Sequence, residues 1–241
     1  MTTIDRGHAR VRPAAIRCMA AFLLVMTLSG FVGFAAAAAE TPDITAEPRA
    51  LIDETATKIV AILARKDESA EARIKQIETI AYEIFDFTTM SKLVLARNWR
   101  KLDKAKKAEF VREFKQNLSR TYGTRLDRYD QEQVEIFGTR VEPRDDVSVK
   151  TRIVGGQFDA AEISYRLRNR NDRWRIIDVV IEGVSLVSNY RSQFAEILNS
   201  GTIDDLLVKL RDKNFVIEDE NDEGDAKGKA GEKEAKAKKE G

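Results

Sequence analysis

Hydrophobic positions change their period near residue 130, and that change divides the chain into helices and strands. Between Ala50 and Ala64, Leu51, Ile52, Ala56, Ile59, Val60 and Leu63 recur at helical spacing. Ser69 stands where it can cap a second helix, whose apolar face carries Ile74, Ile77, Ile80, Ala81 and Ile84. Asp86 occupies the N-cap position of a third, short helix from Phe87 to Arg97. Asp103 does the same for the longest helix, Lys104 to Tyr129, along which Ala108, Val111, Phe114, Leu118, Tyr122, Leu126 and Tyr129 step by three and four. The opposite face of that helix is basic: Lys104, Lys106, Lys107, Arg112, Lys115, Arg120, Arg125 and Arg128 outnumber Glu109, Glu113 and Asp127. It reads either as solvated surface or as a dock for acidic proteins or anionic headgroups.

Beyond the long helix the period becomes two. Val134 and Ile136, then Val147, Val149, Thr151 and Ile153, then Ala161, Ile163, Tyr165 and Leu167 alternate with polar neighbours. Pro143-Arg144-Asp145-Asp146, Gly155-Gly156 and the segment from Asn169 to Asp172 separate these runs as turns of an antiparallel meander. Trp174 to Glu182 makes a fourth strand, and Gly183 breaks it. A helix follows from Ser185 to Leu198, ending at Gly201, and Thr202 with Asp205 forms a capping-box pattern for a last helix through Leu210. Helices first, four strands next and helices again describe one α+β domain over residues 40–215. The fourth strand is apolar on both sides. By simple alternation Trp174 and Ile176 face one way, and Ile177, Val179 and Ile181 the other. Such a strand is either sandwiched between helices or forms the wall of a cavity.

The ends of the chain differ from its middle. Arg6, Arg10, Arg12 and Arg17 precede an uncharged run from Cys18 to Phe34, followed by Ala35 to Ala39 and Glu40. A basic start, an apolar middle and an A-x-A end over residues 1–39 is the layout of a cleavable secretory signal peptide, with an uncleaved anchor as the less favoured reading. Residues 216–241 are almost entirely charged and small, the pattern of a disordered tail. Removing the leader takes four arginines and one aspartate, leaving 37 Lys and Arg against 39 Asp and Glu, a balance that gives no support for a nucleic-acid partner. It also takes the single Cys and the single His. The remaining chain has no thiol nucleophile, no imidazole base and no thiolate or imidazole metal ligand, and nothing in it calls for a cofactor.

Several of these strings resemble a known family. Ile84-Phe85-Asp86-Phe87-Thr88-Thr89-Met90, followed by Leu93-Val94-Leu95 and Asn98-Trp99-Arg100, is similar to the FDF…M…LVLG…WR signature of the MlaC family, the toluene-tolerance family of periplasmic phospholipid-binding proteins. Phe110, Phe114, Leu118 and Tyr122 resemble the long helix of that family. The most distinctive block is Trp174, Asp178-Val179, Ile181-Glu182-Gly183-Val184-Ser185-Leu186-Val187, Asn189-Tyr190-Arg191 and Gln193-Phe194. Ala96 departs from the pattern where the family often has Gly, and Asn171-Asp172-Arg173 replaces the usual Gly before the Trp.

The resemblance implies a curved antiparallel sheet that encloses, with the helices, a deep apolar pocket for acyl chains. It implies a soluble periplasmic shuttle between an outer-membrane lipoprotein complex and the lipid-binding ring of an inner-membrane ABC transporter. That shuttle would maintain outer-membrane lipid asymmetry, with phospholipid as cargo and hopanoid-type lipid as the alternative. On that reading the pocket candidates are Phe110, Phe114, Leu118, Val149, Ile153, Ile163, Tyr165, Trp174 and Ile176, each of which is equally at home in a plain core. Tyr122 and Tyr190 suit either a pocket mouth or a core with a satisfied hydroxyl, and Trp99 reads as core.

Asp86 reads as a cap and Gly183 as the hinge into the next helix. Asp178, set among apolar neighbours, needs a cation, for which Arg100 and Arg191 are the first candidates. The competing class is an enzyme in which Asp178 and Glu182, four apart on one strand, share a face. Ser185 lacks both a nucleophile elbow and a histidine.

Overall fold

The computed structural model describes residues 43–126 and 132–212. The expected leader and charged tail, and Tyr129, lie outside them. Among the described residues no helix is long and apolar enough to cross a membrane.

Helix α1 spans Ala46–Leu63 and so begins before Ala50. Pro48 is buried in its first turn, where a backbone N–H would have no intrahelical acceptor and proline therefore costs nothing. The expected caps are in place. Ser69 accepts the Ala72 N–H at 3.2 Å and starts α2 (Ala70–Ile84). The Asp86 carboxylate accepts the Thr89 N–H at 2.8 Å and starts α3 (Phe87–Leu95). Asp103 accepts the Lys106 N–H at 2.8 Å and starts α4 (Lys104–Leu126).

Helix α3 is shorter than its apolar pattern suggests. It ends at Ala96, whose φ of 48° and ψ of −118° turn the chain into a 3₁₀ segment, Ala96–Lys101. That backbone conformation favours glycine and strains the alanine that adopts it here.

The strands β1 (Gln133–Val141), β2 (Val147–Val154), β3 (Glu162–Arg170) and β4 (Arg173–Ile181) form the expected antiparallel meander. A fifth, two-residue strand, β5 (Val184–Ser185), extends it. Two hairpins turn on two residues each, with φ positive at both: Asn171 (52°) and Asp172 (57°), then Glu182 (48°) and Gly183 (82°). That geometry matches the right-handed twist of the flanking strands. Gly183 therefore ends β4 as a hairpin corner, and the helix begins only after β5. Ser185 caps α5 (Leu186–Ser200) by accepting the Ser188 N–H, and the Thr202–Asp205 capping box opens α6 (Ile203–Arg211).

Simple alternation misplaces half of β4. Ile176 pairs with Leu167, yet Asp178 pairs with Arg166, so Ile177 is an extra residue, a β-bulge. The bulge resets the alternation. Trp174, Ile176, Val179 and Ile181 all pack in one apolar cluster on one face of the sheet, and Asp178 lies on the other. The apparent greasiness on both sides is a phase shift of one residue. Phe137 forms a second bulge in β1, between the Ile136–Thr151 and Gly138–Lys150 pairs.

Two adjoining main cores result, beside a small cluster in which Ile62 and Leu63 of α1 meet Ile77 of α2. One is helical: Met90, Val94, Leu95, Phe110, Phe114, Tyr190, Phe194, Leu206, Leu207 and Leu210 join α3, α4, α5 and α6. The other lies on the inner face of the sheet, where Val147, Val149, Leu167, Ile176 and Val179 meet Ile52 of α1 and Leu186 of α5. Part of the charged face of α4 holds α6. Lys106 pairs with Asp204, Arg211 pairs with Glu109, and Arg120 donates to the Leu210 carbonyl.

Candidate functional site: the inner face of the sheet

The cross-strand register defines a continuous apolar surface. Val147, Leu167 and Ile176 form one row across β2, β3 and β4; Val149, Tyr165 and Val179 form the next; Thr151, Ile163 and Ile181 form a third. Val134 and Ile136 of β1 extend it opposite Ile153 and Thr151. Burial is graded across this face. Val147, Val149, Leu167 and Ile176 are fully enclosed. Ile136, Ile163, Tyr165, Trp174 and Ile181 pack on the same cluster yet are only half-buried. Tyr122 of α4 touches both cores and is also half-buried. A broad surface of large apolar side chains thus lies between sheet and helices and is only partly closed.

The residues singled out in the sequence therefore fall into two groups. Val149, Ile153, Ile163, Tyr165, Trp174 and Ile176 share the inner sheet face, with Tyr122 beside it. Phe110, Phe114, Leu118 and Tyr190 belong to the helical core instead. There the rings of Phe110, Phe114, Tyr190 and Phe194 stack or meet edge-on at 5.1–5.9 Å between centroids. Phe110, Phe114 and Tyr190 are buried there at 0–1% exposure. The Tyr190 hydroxyl donates to Asn117 Oδ1 at 3.1 Å within that core.

Asp178 is buried, and its carboxylate is fully engaged. One oxygen accepts the Ser185 hydroxyl at 2.7 Å and Arg166 Nη2 at 3.2 Å; the other accepts the Val187 N–H at 3.1 Å. It locks the N-terminus of α5 to β4, where a negative charge also suits the helix dipole. Its cation is Arg166. Arg191 instead donates to the Leu93 carbonyl at 2.8 Å, and no bond joins Arg100 to Asp178. The bulge sets this pairing, because in regular pairing Ile177 would stand opposite Arg166 and Asp178 opposite Tyr165. The carboxylate pair required by the enzyme reading is not assembled either. Glu182 lies in the β4–β5 turn and accepts the Glu162 N–H.

On the outer face a polar row continues away from Asp178. Ser148, which pairs with Arg166 in the sheet, donates to Glu142, which also binds Arg140. Burial pushes the Glu142 carboxyl up, but the bonds from Ser148 and Arg140 prevail and hold it below the ordinary value. Nearby, Asp146 takes both arms of Arg168 at 2.6 Å, and this raises the Arg168 pKa further.

A distinct cavity of about 520 Å³ lies between α3, the 3₁₀ turn and α5. Val94, Leu95, Ala195 and Leu198 floor it, and Arg97, Lys101 and Arg191 rim it. Arg97 and Lys101 follow the C-terminus of α3 and Arg191 donates to the Leu93 carbonyl in its last turn, where the helix dipole favours positive charge, and that suffices to explain them. Among the described residues no group of three or more His, Cys, Asp or Glu is placed to hold a metal ion.

Residues 53–212 match the family described as MlaC protein. The chain belongs to the MlaC family. Among curated proteins it is 22% identical over 154 residues to the toluene tolerance protein Ttg2D of Pseudomonas putida, covering 62% of this chain and 72% of that one. Among solved structures it resembles the phospholipid-binding protein of Ralstonia solanacearum in complex with a phospholipid. There the TM-score is 0.62 at 20% identity, over 69% of this chain and 96% of the other. The fold of this MlaC-family chain, helices plus an open five-stranded antiparallel sheet, is the fold of that structure.

Proposed function

We propose that this MlaC-family protein is a periplasmic lipid carrier, without catalytic activity, that holds the acyl chains of a phospholipid between the inner face of its sheet and α1, α2 and α4. The observation that carries the reading is the half-buried apolar surface of Ile163, Tyr165, Trp174 and Ile181. Large apolar side chains left partly open on an inward face are what an acyl chain would cover. The phospholipid in the related Ralstonia structure supports the same cargo.

The energetics fit a shuttle. Two chains of about 15 methylenes each would cost roughly 24 kcal/mol to expose to water, at about 0.8 kcal/mol per methylene. Shielding must therefore be complete. Release must remain possible, and an apolar surface with few polar contacts provides both. The carriage of lipid between an outer-membrane lipoprotein complex and the ring of an inner-membrane ABC transporter belongs to this proposal through the family.

Protein purified from its native host and extracted with organic solvent should yield about one phospholipid per chain by mass spectrometry. A hopanoid in the extract would redirect the cargo assignment. An empty extract, together with no uptake from labelled vesicles, would overturn the carrier reading.

A further inference from the structure

The β3–β4 hairpin carries five arginines on its outer face: Arg166, Arg168 and Arg170 on β3, Arg173 and Arg175 on β4. The register sets two of the pairs directly opposite one another, Arg168 with Arg175 and Arg170 with Arg173. Like charges directly opposed across strands repel, so the pattern opposes the stability of the hairpin. Two of the five are neutralised internally, Arg166 by Asp178 and Arg168 by Asp146. Arg170, Arg173 and Arg175 make no ion pair among the described residues, and Arg170 and Arg173 are exposed at the hairpin tip. Asp172, in the turn between them, is the one acid in the segment 166–175. Among the described residues no ion pair offsets this repulsion at the tip.

We propose that the outer face of the β3–β4 hairpin is a docking surface for an anionic lipid bilayer. Guanidinium groups are planar, weakly hydrated and matched to phosphate, so several on one flat strand face suit an array of phosphodiester headgroups. The same hairpin bears Trp174 on its inner face, opposite Asn169 and beside the half-open apolar surface. Docking by the arginines would hold the hairpin tip at a membrane, with the lipid-holding face on the other side of the same sheet. An amphipathic indole at that end suits the headgroup boundary. The proposal rests on the carrier reading, and the test separates the two.

Protein purified from its native host is incubated with vesicles of phosphatidylcholine alone and with vesicles rich in phosphatidylglycerol, then sedimented at low and physiological ionic strength. Arg170→Gln/Arg173→Gln is compared with the unaltered protein, and thermal unfolding confirms that both are folded. Each arginine near an anionic surface contributes roughly fivefold to partitioning, so the double variant should bind phosphatidylglycerol vesicles about 25-fold more weakly. Its extracted lipid should be unchanged. Salt should weaken binding of the unaltered protein far more than that of the variant.

Equal binding by both proteins, or no preference for the anionic vesicles, overturns the docking surface and leaves the carrier reading intact if lipid is still extracted. In that case the arginines would fall to an acidic protein partner. Anionic vesicle binding that the variant loses, with no lipid in either extract, upholds the docking surface and overturns the carrier.

Discussion

Replacing Asp178 separates a structural carboxylate from a catalytic one, and the geometry sets the size of the effect. Asp178→Ala strips the Val187 N–H of its acceptor inside the protein, and a buried donor left unpaired costs about 1–3 kcal/mol. It also removes the negative charge from the first turn of α5, about 0.3–1 kcal/mol at such a position. Arg166 loses its partner, but 40% of its side chain is exposed, so water replaces much of that pair and its share is nearer 0–1 kcal/mol on the surface scale. Ser185 keeps its capping bond to Ser188.

The sum is about 1–5 kcal/mol, or roughly 2–20 °C in Tm for a domain of this size. Asp178→Asn retains one acceptor oxygen and should cost about half as much. Equilibrium unfolding in urea measures both variants, with lipid content followed in parallel. If Asp178 is an anchor, stability falls and lipid occupancy per folded chain does not. Stability within about 0.5 kcal/mol of the unaltered protein, the range of an ordinary surface change, would refute the anchoring role. Lost lipid uptake at unchanged stability would refute it equally.

Ala96→Gly should stabilise the protein by about 1 kcal/mol in urea unfolding, because the left-handed backbone at φ 48° strains any residue with a Cβ. Arg173→Glu converts the Arg170–Arg173 opposition into an attraction and should add about 0.2–1 kcal/mol, shrinking as salt is raised. Acid should weaken the fold through carboxylates held below their ordinary pKa: Asp205 by the Thr202 N–H and hydroxyl, Glu109 by Lys106 and Arg211, and Glu142 by Ser148 and Arg140. A depressed carboxylate stabilises the folded state above its unfolded pKa and loses that contribution as pH falls through its folded value. Urea midpoints should therefore fall steadily below the ordinary carboxylate range, and a midpoint indifferent to acid would contradict these bonds.

What the sequence reveals about this fold is mainly what depends on neighbouring residues. Ser69, Asp86, Asp103 and Thr202 with Asp205 cap the helices they precede, because a cap needs only a short polar side chain at a helix start. Gly183 marks the end of β4 for an equally local reason. The inner sheet face is half legible: Val149, Ile163 and Tyr165 alternate cleanly, but β4 loses phase at Ile177, and no residue type announces a bulge. The same shift hides Arg166 as the partner of Asp178, since a long-range pair depends on register. Phe110, Phe114 and Tyr190 go to the helical core because an apolar stripe shows that a face is buried without showing what covers it.

The two tryptophans allow the central claim to be tested by contact. Trp174 lies on the inner sheet face and Trp99 against the helical core. Phospholipid brominated along its acyl chains quenches an indole only at close range. Loaded into Trp99→Phe, it should strongly quench the remaining Trp174 emission; loaded into Trp174→Phe, it should leave Trp99 emission largely intact. Quenching of Trp99 with Trp174 untouched would put the lipid elsewhere in the fold, and quenching of neither in a lipid-loaded protein would contradict the sheet face as the acyl-chain site.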